Sequence, residues 1–220
     1  LTKMTALGIA LFCLAAFAVE AAGPDPAANP DRHLLASLDG PIVAERVLTG
    51  LSQPVAIEFL PDGKALVLQR DRGLMSLVDF ATGQKSDIEG MPDMLVLDPA
   101  GAHDIELHPQ YRSNGWIYVS YSEGEPYHST AVVDRVRLDG ARVTERQRIF
   151  TADAYSDGPG YFAARMAFVD GYLFLALGDR EHPPMAQDNS NHAGAVIRLH
   201  DDGRVPADNP FVGATAAEGA

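Results

Sequence analysis

Ala56-Ile57-Glu58-Phe59, a turn at Asp62-Gly63, and Ala65-Leu66-Val67-Leu68 form an apolar run, a reversal and a second apolar run. The pattern returns in Asp104-Ile105-Glu106-Leu107, Asn114-Gly115 and Trp116-Ile117-Tyr118-Val119. It returns again in Arg165-Met166-Ala167-Phe168, Asp170-Gly171 and Tyr172-Leu173-Phe174-Leu175. Such units are hairpins, because glycine takes the positive φ that a tight reversal needs. Three of them at a loose period of about 50 residues predict propeller blades rather than a sandwich. Outer strands are expected at 74–79 in the first unit and at 131–138 and 147–150 in the second. The prediction is an all-β fold, a β-propeller of four-stranded antiparallel blades. Residues 56–59, 104–107 and 165–168 should lie nearest the axis.

Outward from these units, residues 41–220 are expected to be propeller, beginning with a strand at 43–48. Three blades and the start of a fourth fit there, whereas propellers use about 4–8. The sequence is therefore expected to be the N-terminal part of a longer chain. Residues 23–40 read as a flexible lead-in, with a short helical or irregular piece around 32–38. Residues 1–22 have the form of a signal peptide: Lys3, an uncharged run from Met4 to Val19, and the small-residue exit Val19-Glu20-Ala21. That run is shorter than the roughly 20 residues needed to span a bilayer. The expected location is periplasmic or secreted, with no integral span in the mature chain. Cys13, the single cysteine, lies inside this segment, so the mature chain can form no disulfide.

Twenty Gly and 15 Pro in 220 residues suit many turns better than long helices. Seventeen basic against 30 acidic side chains give a net charge of -13. Such a field opposes nucleic acid and acidic membrane surfaces but not a neutral small molecule. The sequence has no nucleophile elbow, nucleotide fingerprint or zinc spacing, so hydrolase, nicotinamide and zinc chemistry lack support.

More specific runs follow. Leu107-His108-Pro109-Gln110-Tyr111 leads into Asn114-Gly115-Trp116-Ile117-Tyr118-Val119, and Leu175-Ala176-Leu177-Gly178-Asp179-Arg180 closes the third hairpin. Ala186-Gln187-Asp188, Asn191-His192-Ala193-Gly194, Ile197-Arg198-Leu199 and the stretch from Asp201 to Phe211 come after it. In content and order these resemble the soluble glucose/sorbosone dehydrogenases, over roughly Val47 to Phe211. The resemblance implies a six-bladed propeller that oxidises an aldose with pyrroloquinoline quinone (PQQ) held by basic and polar side chains and by calcium. It implies a sugar above the quinone, a histidine that takes the anomeric hydroxyl proton, hydride transfer to the quinone, and a further electron acceptor. Most of the family's PQQ and calcium contacts would lie beyond residue 220, and no metal ligand is assigned within this chain.

The chain departs from the family at the decisive position. The family's His-x-Gly-x-Arg motif is here Tyr161-Phe162-Ala163-Ala164-Arg165, so Arg165 matches and Tyr161 stands in place of the histidine. Asp98-Pro99-Ala100-Gly101 lacks the family's glutamine, and Ala195 stands where a lysine is common. A phenol holds its proton at neutral pH and is a poorer base than imidazole. If 161, 163 and 165 share one strand face, Arg165 could make the phenol more acidic. Tyr161 and Arg165 are thus the candidate catalytic and supporting residues. His103-Asp104, His108, the 188–192 loop and Asp201-Asp202-Gly203 read as structural pairs and turns. Two functions stay open: a PQQ-dependent sugar dehydrogenase, and a non-catalytic sugar-binding propeller of the same lineage.

Overall fold

The computed structural model describes residues 31–158 and 160–212. The proposed signal peptide lies outside the described residues. The chain divides after Val47 into two units. The first holds an antiparallel hairpin of β1 (Arg32–Leu35) and β2 (Ile42–Glu45), with ion pairs Arg32–Glu45 and Arg46–Asp31. Two expectations change here. The piece around 32–38 begins as a strand, because Leu34 and Leu35 pair with Val43 and Ile42. Of the run expected at 43–48, residues 43–45 pair with β1 in that hairpin.

The second unit carries three antiparallel sheets in sequence order. The first blade is β3 (Pro54–Phe59), β4 (Ala65–Gln69), β5 (Leu74–Asp79) and β6 (Gln84–Asp87). The second is β7 (Ala102–Leu107), β8 (Ile117–Glu125), β9 (His128–Asp139) and β10 (Arg142–Thr151). The third, as far as it is described, has β11 (Ala163–Val169), β12 (Tyr172–Leu177) and β13 (Val196–Leu199). The leading strand β7 packs against both β3 and β11, so the predicted axial strands are neighbours.

Strand alternation explains how the middle blade holds the other two. Successive side chains point to opposite faces. Ile117, Val119 and Tyr121 of β8 join Leu66, Leu68 and Met75 of the first blade. Tyr118 of the same strand joins Leu173, Leu175 and Ile197 of the third. Burying one such Leu or Ile stabilises by about 1.5–3 kcal/mol.

A buried polar group crosses the second blade. The Asp134 carboxylate accepts hydrogen bonds from Tyr121 Oη at 2.7 Å and Arg148 Nε at 2.5 Å, and Arg148 continues to Glu123 at 2.7 Å. Burial and the neighbouring Asp134 carboxylate raise the Tyr121 phenol above its ordinary range, which keeps it a donor. Among the described residues no helix is long and apolar enough to cross a membrane.

Candidate functional site

The start of the third blade departs from ideal strand geometry. Tyr161, Ala163 and Ala164 all have left-handed backbones, with φ of 50°, 53° and 54°. Residues with a Cβ adopt this region at a cost of about 1–2 kcal/mol each. The pairing of β11 with β12 shifts register between Ala163 and Arg165. Tyr161 therefore precedes the strand instead of lying on it, although 161, 163 and 165 are all exposed. Position 163 is where the family motif has glycine, and its backbone conformation is the one glycine adopts freely.

A buried arginine fixes this segment. Arg180 is 1% exposed and donates to the carbonyls of Gly158, Gly160 and Ser129 and to Ser129 Oγ. Its guanidinium carbon lies 3.5 Å from the centroid of the Phe162 ring. Burial pulls its pKa down to about 10, so it stays charged at neutral pH. A Cβ at Gly178 would strike the Tyr161 carbonyl, so glycine is what lets the segment close on the end of β12.

Tyr161, Phe162, Ala163 and Arg165 form one side of a cleft of about 310 Å³, completed by Arg70, Pro99 and His103. Arg165 touches all three blades. It sits on β11, donates to Asp104 Oδ1 on β7 at 3.1 Å, and donates to the Val55 carbonyl on β3 at 3.0 Å. The second oxygen of Asp104 accepts the Met166 N–H at 2.7 Å, so this carboxylate anchors the neighbouring blade as well as its arginine. Tyr161 is 68% exposed at the cleft wall.

Arg70 opens a 3-10 turn directly after β4. Its backbone is held by Gln53 O, and a Cβ at Gly101, where φ is 140°, would collide with the Arg70 carbonyl. Its Nε is buried without a hydrogen-bond partner. Among the described residues its side chain makes no hydrogen bond or ion pair. An unsatisfied buried donor costs about 1–3 kcal/mol. His103 is 6% exposed, lies 5.0 Å from the Phe162 ring, and has Nε2 at 2.8 Å from Ser122 Oγ. Burial, then the charges of Arg70, Arg165 and Arg180, lower its pKa to about 3, so the imidazole is neutral.

Sequence reasoning singled out Tyr161 and Arg165, and the structure brings both to this cleft. It passed over Arg70 and treated His103 as structural. A signal for His103 existed in the repeat: the positions matching it in the other two copies are Val55 and Ala164, both apolar.

The remaining polar candidates bond backbone groups or neighbouring side chains, most of them within their own turns. His108 Nδ1 accepts from Gln110 N and pairs with Asn114. Asn191 caps Ala193 N, Asp188 caps Ser190 N, and His192 Nδ1 accepts from Asp153 N. Asp202 caps Arg204 N.

Comparison with known proteins agrees with this architecture. The glucose/sorbosone dehydrogenase family model matches residues 51–220. The aldose sugar dehydrogenase YliI of Escherichia coli is 32% identical over 166 residues, covering 74% of this chain and 45% of that protein. The apo structure of the soluble aldose sugar dehydrogenase from Escherichia coli aligns with a TM-score of 0.74 and 31% identity, over 78% of this chain and 50% of that one. The PQQ-bound aldose sugar dehydrogenase of Streptomyces coelicolor aligns at 0.68 and 26% identity, over 76% and 50%. The chain thus spans about half the length of the relatives it matches. With three consecutive propeller blades and a family match over most of its length, the chain belongs to the glucose/sorbosone dehydrogenase family.

Proposed function

We propose that this chain forms the sugar-facing part of an exported PQQ-dependent dehydrogenase that oxidises an aldose at its anomeric carbon. The observation that carries the reading is the convergence of the two motif positions, Tyr161 and Arg165, with Arg70 and His103 in one cleft. The cleft suits an anionic cofactor. Two of its seven lining residues are arginines, and Arg70 has a buried orphan donor. Arg70 would supply a charge-assisted donor, and Arg165, already tied to Asp104, a partly screened one. Calcium does not fit in the same way, since the described residues hold no group of three or more His, Cys, Asp or Glu able to take a metal. No step is assigned to it.

PQQ, when bound, supplies the acceptor for the hydride leaving the anomeric C–H. The chain's own residues must bind the sugar, and the hydroxyl proton leaves to solvent water as the lactone carbonyl forms. Tyr161 presents a phenol where the family has an imidazole. We assign it to holding the sugar's hydroxyl, not to taking the proton, because a phenol is already protonated at neutral pH. Low turnover at neutral pH follows.

The test is a dye-reduction assay on protein loaded with PQQ. Tyr161→His should raise the rate by about 10²–10⁴, the usual worth of a general base. Tyr161→Phe, which loses the hydroxyl that holds the sugar, should raise KM while leaving the rate at saturating sugar within a few-fold. Strong wild-type activity that rises toward alkaline pH and vanishes in Tyr161→Phe would show that the phenol itself is the base. No reduction in Tyr161→His with PQQ demonstrably bound would favour a sugar-binding propeller without catalysis.

A further inference from the structure

We propose that Arg70 and His103 together form a carboxylate-binding subsite on the wall of the cleft. The proposal rests on the cleft being the ligand site of the function proposed above. It adds the chemistry of one ligand group and the roles of two residues on different blades.

The role of His103 follows from counting protons around Ser122. Ser122 Oγ accepts the Gly101 N–H at 3.3 Å and lies 2.8 Å from His103 Nε2. The serine is fully buried, and His103 Nε2 is the one acceptor within reach of its hydroxyl proton among the described residues. The hydroxyl therefore donates to Nε2, and the neutral ring must carry its own proton on Nδ1. Nδ1 makes no hydrogen bond among the described residues. It is not one of the fully buried unpaired side-chain atoms, which among the described residues are the Nε atoms of Arg32, Arg70 and Arg180. Nδ1–H thus opens to the cleft that His103 lines. In this tautomer His103 offers a hydrogen and cannot remove one, so it does not replace the histidine missing at position 161.

Arg70 supplies the charge. Its guanidinium lines the same cleft without an acidic partner among the described residues, in a chain with 30 acidic side chains to choose from. Asp104, which bonds a residue of the cleft, already holds Arg165 and the Met166 N–H. A fixed neutral donor beside an unneutralised guanidinium is complementary to a carboxylate oxygen pair, which accepts from both. The carboxylate belongs either to the cofactor, as PQQ is a tricarboxylate, or to an acidic sugar.

Two measurements test the subsite. In ¹⁵N-histidine-labelled protein the His103 ring, assigned by its loss in His103→Gln, should show the neutral Nδ1–H pattern. A neutral Nε2–H pattern overturns the proposal. In parallel, wild type and Arg70→Gln are titrated with PQQ, glucuronate and glucose. Weakening of PQQ binding by about tenfold or more assigns the carboxylate to the cofactor. The same loss for glucuronate, with glucose unchanged, assigns it to the sugar. Equal affinities of the two proteins for both PQQ and glucuronate, absence of any binding included, overturn the subsite. Arg70-dependent glucuronate binding in a protein that takes no PQQ would sustain the subsite while refuting the dehydrogenase reading.

Discussion

Replacing Ala163 by glycine should stabilise the protein, although it removes a side chain from a strand. Ala163 sits at φ 53°, where a Cβ costs about 1–2 kcal/mol. Against this, glycine gives the unfolded chain more freedom, worth about 0.4–1 kcal/mol. The methyl is exposed, so little apolar burial is lost. The net expectation is a gain of about 0.5–1 kcal/mol, or about 1–4 °C in melting temperature for a chain of this size. Ala164→Gly starts from the same backbone, at φ 54°, but removes a fully buried methyl worth about 0.8 kcal/mol. It should be close to neutral. Ala167→Gly, exposed on β11 in the ordinary strand region, should cost about 0.5–1 kcal/mol. Urea unfolding of the three variants measures these differences at unchanged slope. Ala163→Gly losing as much stability as Ala167→Gly would refute the claim that the turn into the third blade is strained.

Other consequences are separately measurable. Removing Asp134 leaves Arg148 Nε and the Tyr121 hydroxyl without their acceptor, so Asp134→Ala should cost about 3 kcal/mol in urea unfolding; a loss under about 1 kcal/mol would show that the network contributes little. Glu106 is raised to about 7 by burial and by the charges of Glu58 and Asp104. The folded state therefore binds its proton more tightly than the unfolded state, and stability contributed by protonated Glu106 is lost as pH rises from about 4.5 through 7. Glu106→Gln should flatten that decline, and melting curves at pH 5 and 8 that match wild type would contradict it. Gly178→Ala should displace the Tyr161 carbonyl and lower the melting temperature, with a crystal structure showing whether the 160–162 segment has moved.

The blades were legible because each hairpin carries its own punctuation. Residues 65–69 and 74–79 are apolar runs bounded by turn residues, and they became β4 and β5 with those bounds. What alternation cannot encode is the partner. Residues 43–48 have the composition of a blade strand, yet 43–45 pair with β1. The turn into the third blade was hidden for a related reason. Glycine at 163 and 164 would have announced a left-handed backbone, whereas two alanines conceal it. In the cleft, Tyr161 and Arg165 were found through a local motif. Arg70 and His103 meet them only after three blades assemble, and no short window of sequence contains that contact.

The strained segment and the buried cation beneath it belong to one arrangement. Gly158 and Gly160 lie ahead of the ladder of β11 and β12, which begins at Ala163, while the Phe162 and Tyr161 carbonyls accept from the backbone N–H groups of Gly178 and Arg180. Arg180 is the donor that replaces the strand, and its guanidinium satisfies Gly158 and Gly160 at once. The same cation lies against Phe162, whose ring also meets His103. An apolar residue at 180 could fill the space but would leave those carbonyls bare, at about 1–3 kcal/mol for each buried one. Burial chiefly keeps His103 neutral, and the charge that holds the Tyr161 segment in place adds to it after those of Arg70 and Arg165. The position of the phenol therefore rests on a buried residue that does not line the cleft, and that residue also favours the neutral imidazole.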